Sequence, residues 1–217
     1  MNNNKVDISV VLDKSGSMQS VLKDTIGGFN NFLDTQIDKR ARITLVEFSY
    51  SPHTVYRARR ISEAPRLTTE TYIPSGGTAL LDAIGTTIDT TGSRLRAIPE
   101  EDRPNRVIFV IVTDGEENSS KIYTAARIHE MINHQRDVYN WNFVFLGANQ
   151  DAIKVGQSYG FGYGQTMTYA ANAAGTSSAF MSVSNLSNAV ATSTSVAEAA
   201  NTSFTAEDRN LQTKAGA

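Results

Sequence analysis

Four short apolar runs of strand length, three of them followed directly by a segment with helical spacing, constrain this chain more than any other feature. Residues 5–13 are nearly continuous in Val, Ile and Leu, and residues 106–113 read Arg-Val-Ile-Phe-Val-Ile-Val-Thr. Residues 41–50 and 141–146 are similar. Runs without polar alternation belong to strands covered on both faces. Between them, residues 19–39 carry Val21, Ile26, Phe29, Phe32, Leu33 and Ile37 on one broad helical face, and residues 78–98 carry Leu80, Leu81, Ile84, Ile88 and Leu95. Gly92 is expected to weaken the last turns of that second helix. Residues 121–136 read as a third helix, a short helix ends near Gly156, residues 165–169 suit a last strand, and residues 175–191 a further helix. Residues 53–61 form a second strand hairpinned to 41–50 through Ser51-Pro52. Alternating strands and helices predict an α/β fold, a mostly parallel central sheet with helices on both faces. In such a sheet the turns at the carboxyl ends of the strands converge on one edge, where ligands bind at the switch point.

Two of those carboxyl ends carry acids. The first run closes on Asp13-Lys14-Ser15-Gly16-Ser17-Met18, and the third on Thr113-Asp114-Gly115. A third turn, Gly76-Gly77-Thr78, opens the second long helix. Asp13, Ser15, Ser17, Thr78 and Asp114 thus offer carboxylate and hydroxyl oxygens from three separate turns. Such hard donors suit a small divalent cation with octahedral oxygen coordination. Singly, each signal has a structural explanation, since Ser and Asp cap helices and Asp-Gly marks ordinary turns. Their order, spacing and strand-end context argue for a joint site.

The order D-x-S-x-S, then T, then D-G resembles the metal-ion-dependent adhesion site of the von Willebrand factor A domain family, over roughly residues 5–190. The resemblance implies a Rossmann-like A-domain sheet with one antiparallel edge strand, residues 53–61. It implies Mg²⁺ or Mn²⁺, ahead of Ca²⁺, held by Asp13, Ser15, Ser17, Thr78 and Asp114, with Thr78 contacting the metal directly in the high-affinity arrangement. An open coordination position then accepts an Asp or Glu side chain from a partner protein. The form resembles intracellular prokaryotic or phage A-domain proteins, some of which act beside an AAA+ ATPase or in assembly machinery. No residue here selects among those.

Around the core motif, Glu116 and Glu117 are weighed as a second cation site against helix N-terminal acids. Asp82 is weighed as an orienter of bound water against a solvated helix-face acid, and Asn149 and Asp151 as rim residues, with Asp151 better suited to an N-cap. Lys14 is expected to face solvent, and Tyr50 and His53 to be surface or packing residues.

Composition removes other classes. Lys plus Arg number 20 and Asp plus Glu 22, so no basic field favours nucleic acid or an anionic membrane. Cysteine is absent, which excludes disulfides, zinc–thiolate sites and cysteine nucleophiles. There is no P-loop, no G-x-S-x-G elbow and no HExxH, and Gly160-Phe-Gly-Tyr-Gly164 fails the dinucleotide pattern. The start of the chain is too short and acidic for a signal peptide, and no segment reaches the length of a membrane span, so the expected compartment is the cytoplasm and the three Asn-x-Ser sequons carry no meaning. The expected function is non-enzymatic binding, with a metal-dependent phosphate-ester hydrolase and a self-associating assembly subunit as rivals. The expected organisation is an A domain over residues 1–192. A tail over 193–217, rich in small polar residues, is read as a peripheral helix or partly disordered, with a helix start at Thr205-Ala206-Glu207-Asp208.

Overall fold

The computed structural model describes residues 5–36, 41–148 and 151–217. Six strands form one sheet in the order β3-β2-β1-β4-β5-β6: β1 Val6–Asp13, β2 Arg42–Phe48, β3 Pro52–Arg60, β4 Arg106–Thr113, β5 Asn142–Ala148 and β6 Thr166–Tyr169. Every neighbouring pair is parallel except β2 with β3, which is the antiparallel edge hairpin the sequence predicts. All eight residues of β1 and all eight of β4 are buried, as expected for the two central strands, sandwiched between helix layers.

The long helices are α1 Leu22–Thr35, α2 Leu80–Arg96, α3 Ala125–Tyr139 and α5 Ala173–Thr192, with shorter α4 Ala152–Ser158, α6 Val196–Asn201 and α7 Ala206–Ala215. Alternation along β1 divides the core. Val10 and Leu12 join Phe29 and Phe32 of α1 and Phe180, Val183 and Leu186 of α5. Val11 joins Leu81, Ile84 and Ile88 of α2 and Ile128 and Ile132 of α3. Phe29 and Phe32 are essentially inaccessible, each contributing about 1.5–3 kcal/mol of burial.

Several boundaries differ from the sequence reading. Residues 16–21 form a 3-10 turn, so α1 begins at Leu22 rather than Gln19, and the expected helical positions Ile37 and Lys39 lie outside the described residues. The third helix begins at Ala125 rather than Lys121, because the Asp82 carboxylate accepts hydrogen bonds from the backbone N–H groups of Lys121, Ile122 and Tyr123 and holds them out of the helix. Helix α2 runs unbroken through Gly92.

The small-residue segment after Ala170 packs closely. Ser182, Ser184 and Ser187 of α5 are buried, and Thr35 of α1 donates to the Ser184 hydroxyl at 3.0 Å. Short side chains let the two helices pack closely, and the Phe180 ring of α5 lies directly against Gly28 of α1. Arg106 at the start of β4 donates to the hydroxyl and carbonyl of Ser193, fixing the end of α5. Beyond it, α7 opens on a capping box between Thr205 and Asp208. Its buried Gln212 accepts from Ala170 N–H and donates to the Gly175 carbonyl and the Ser178 hydroxyl.

Two mid-helix glycines should respond oppositely to a methyl group. A Cβ at Gly28 would lie 2.3 Å from the Phe180 ring, whereas one at Gly92 meets nothing within 4 Å. Gly28→Ala is expected to destabilise by about 1–3 kcal/mol through overpacking. Gly92→Ala should stabilise by up to about 1 kcal/mol through helix propensity. Urea unfolding of both variants measures the contrast.

Candidate metal centre

The parallel pairing of β1 with β4 aligns Leu12 with Val112, so both strands release their chains at the same height. Asp13 is the last residue of β1 and is fully buried. One of its oxygens, Oδ1, accepts the Ser15 backbone N–H at 2.6 Å. The other, Oδ2, accepts the Thr113 hydroxyl at 2.6 Å. The Asp13 carbonyl accepts the Tyr72 hydroxyl.

Beyond this clasp the hydroxyls form a chain. Ser15 Oγ and Ser17 Oγ are 3.0 Å apart, and Ser17 Oγ donates to Asp114 Oδ1 at 2.6 Å. Thr78 is buried and joins from the second loop, with its N–H donating to Asn118 Oδ1 and its carbonyl accepting Asn118 N–H. A Cβ on Gly115 would sit 2.9 Å from Thr78 Oγ1 and 3.5 Å from Ser17 Oγ. The hydroxyls of Thr78 and Ser17 therefore both lie close against Gly115, an approach that a side chain at this position would block. The five residues singled out in the sequence meet at the carboxyl edge, drawn from the ends of β1 and β4 and the start of α2.

Backbone bonds tie the first turn to the end of β2 and to the Gly76 loop. Lys14 N–H donates to the Phe48 carbonyl, Ser75 N–H to the Lys14 carbonyl, and Gly16 N–H to the Gly76 carbonyl. Gly76 has φ 83° and is the position that requires glycine, whereas Gly16 is not left-handed and a Cβ there would make only an ordinary contact. Tyr50 is 69% exposed, with its ring against Gly76 and Gly77. Lys14 does not face solvent as expected: its ammonium pairs with Glu47 Oε2 at 2.7 Å, and Glu47 is buried on β2.

The other candidates resolve into structural roles. Glu117 accepts from the N–H groups of Leu81, Ser119 and Ser120 and from the Ser120 hydroxyl, so its carboxylate is consumed in joining two loops. Glu116 is exposed. Asp82 is buried rather than a solvated helix-face acid: it accepts three backbone N–H groups, which hold its carboxyl below the usual range against the opposing effect of burial. Asp151 caps α4 through Lys154 N–H, and Asn149 lies outside the described residues. Sequence reading missed Thr113, Asn118 and Tyr72, which hold the candidate donors in place.

Burial pushes the Asp13 carboxyl up to about 6, against the hydrogen bonds from Thr113 and Ser15 and with a smaller contribution from the Asp114 charge. Burial raises Asp114 as well. Among the described residues neither carboxylate has a basic partner. Two buried acids side by side without a counter-charge are costly. A dication placed among them and the three hydroxyls removes that cost, and the all-oxygen donor set fits Mg²⁺ or Mn²⁺. Sites of another kind, with three or more His, Cys, Asp or Glu side chains gathered, do not occur among the described residues.

A family profile of the von Willebrand factor type A domain matches residues 7–155, more than half of the chain. The chain belongs to the von Willebrand factor type A domain family. Solved structures share its fold. The von Willebrand factor type A protein from Catenulispora acidiphila is 18% identical with a TM-score of 0.58, over 85% of this chain and 43% of that one. The ArnB paralog VWA2 from Sulfolobus acidocaldarius is 15% identical with a TM-score of 0.55, over 83% and 44%. Proximal thread matrix protein 1 from the mussel byssus, in a form with a zinc-occupied MIDAS motif, is 17% identical with a TM-score of 0.52, over 86% and 45%. This chain spans less than half the length of each. No curated protein sequence matches it. Among the described residues of this A domain no helix is long and apolar enough to cross a membrane.

Gly115→Ala is expected to lower divalent-cation affinity at least about tenfold by placing a methyl against Thr78 Oγ1, while Gly16→Ala changes it little. Calorimetric titration with Mn²⁺ separates the two.

Proposed function

We propose that this A domain is a non-enzymatic module that binds a partner protein through a divalent cation, Mg²⁺ or Mn²⁺, at an intact metal-ion-dependent adhesion site. Ser15, Ser17 and Thr78 supply neutral hydroxyl ligands, and Asp13 and Asp114 balance the charge. A dication with few charged ligands attracts a further carboxylate, and the partner's Asp or Glu side chain completes its coordination. The observation that carries this reading is the hydroxyl–carboxylate chain Ser15–Ser17–Asp114, which meets Thr78 at Gly115 and, among the described residues, has no basic side chain to neutralise it. The zinc-occupied MIDAS motif of the mussel thread protein supports it by family likeness. The chain's own residues pre-position the donors: Thr113 and Ser15 N–H fix Asp13, and Asn118 fixes Thr78. The partner is proposed to be a component of an AAA+ ATPase or assembly complex, in the cytoplasm of a prokaryote or in a phage system.

The test combines metal titration with partner retention. Asp114→Ala and the pair Ser15→Ala/Ser17→Ala are each expected to abolish Mg²⁺ binding while leaving the circular dichroism spectrum intact. A protein retained from extract by wild type in Mg²⁺, and lost with chelator or Asp13→Ala, is the expected outcome. Retention that ignores both metal and mutation would contradict the proposal.

A further inference from the structure

A cavity of about 220 Å³ lies at the end of the sheet opposite the candidate metal centre, between the last turns of α2 and α3 and the starts of β4 and β5. Leu95, Pro104, Val107, Tyr139 and Trp141 form its apolar wall, and His134 and Gln135 also line it. Two guanidinium groups, Arg96 and Arg103, line it, and among the described residues no Asp or Glu does. Arg103 is held rigidly: its Nε donates to the carbonyls of Leu95 and Ile98 and its Nη2 to that of Arg96, which also satisfies the end of α2. The Arg96 guanidinium is exposed and has no partner among the described residues.

Gly92 also lines the cavity. Nothing lies within 4 Å of a Cβ there, as is also the case at Gly27 of α1, so no packing contact requires the glycine. A large side chain at this position would project over the cavity.

We infer that this cavity binds a small organic carboxylate: an apolar body, a single ring or short chain, lies against Trp141, Leu95 and Val107, and its anionic head pairs with Arg96 and Arg103. Guanidinium–carboxylate pairing is strong and directional, and an unpaired arginine beside an apolar wall is complementary to that combination. The volume is below the roughly 300–1,000 Å³ of sites for drug-sized molecules, which limits the ligand to fragment size. The inference is independent of the metal site.

Trp141 is the only tryptophan in the chain, so its indole N–H gives one assignable NMR cross-peak within the cavity wall. The full-length protein is titrated with benzoate, and with benzamide as the uncharged counterpart. Benzoate is expected to shift the Trp141 peak saturably and benzamide to leave it nearly unmoved. Arg96→Gln should weaken benzoate by about tenfold, as expected for loss of a charged hydrogen bond. Gly92→Leu should abolish the shift, with an unchanged circular dichroism spectrum and unchanged Mn²⁺ titration. An equal response to benzamide, no response to benzoate, or benzoate binding unaltered in both variants would overturn the inference.

Discussion

Asp13 ends a strand that is buried along its whole length, and its carboxylate is shared between the Ser15 N–H on its own turn and the Thr113 hydroxyl on the neighbouring strand. That bridge pins β1 to β4 at the point where the chain reverses its direction of travel across the sheet. From it follow the position of the Ser15–Ser17 turn, the meeting of that turn with Asp114, and the close approach of Thr78 over Gly115. The same burial raises the carboxyl to about 6. Between the ordinary carboxylate range and that value the unfolded chain ionises while the folded protein keeps the Asp13 proton, so the metal-free fold loses stability as pH rises through this window. A bound cation reverses the sign of that contribution.

Much of the fold could be read from the sequence because its strands are short, apolar and buried on both faces. Strand β4 begins and ends at the residues that the apolar run marks, and the edge hairpin follows from Ser51-Pro52 between two strand-like segments. Boundaries failed where a distant residue decides them. The start of α3 at Ala125 is set by two residues: Thr124, whose hydroxyl caps the Arg127 N–H, and Asp82, some forty residues earlier, which holds the Lys121–Tyr123 N–H groups out of the helix. The serines of α5 suggest weak packing by composition, yet their small size lets α5 lie close on α1, a consequence of pairing with Gly28 and Phe180 that neither segment shows alone.

The candidate site was legible for a related reason. Four of its five donors lie at or just after strand ends and Thr78 lies just before a helix, so locating the elements locates them, and the family's motif supplies the grouping. The supporting residues were not legible. Thr113 reads as the end of an apolar run, Tyr72 as part of a loop, and Asn118 as one residue of a polar turn. Their roles exist only once three loops are brought together. Lys14 was misread because its partner, Glu47, is a buried acid within an otherwise apolar strand.

The most direct measurement is a crystal structure of the protein soaked in Mn²⁺, with anomalous scattering used to locate the ion. The account predicts one strong anomalous peak within coordinating distance of the Ser15, Ser17 and Thr78 hydroxyls, with Asp13 and Asp114 beside it. A peak at the Glu116–Glu117 loop instead, or none at the carboxyl edge of the sheet, would contradict it.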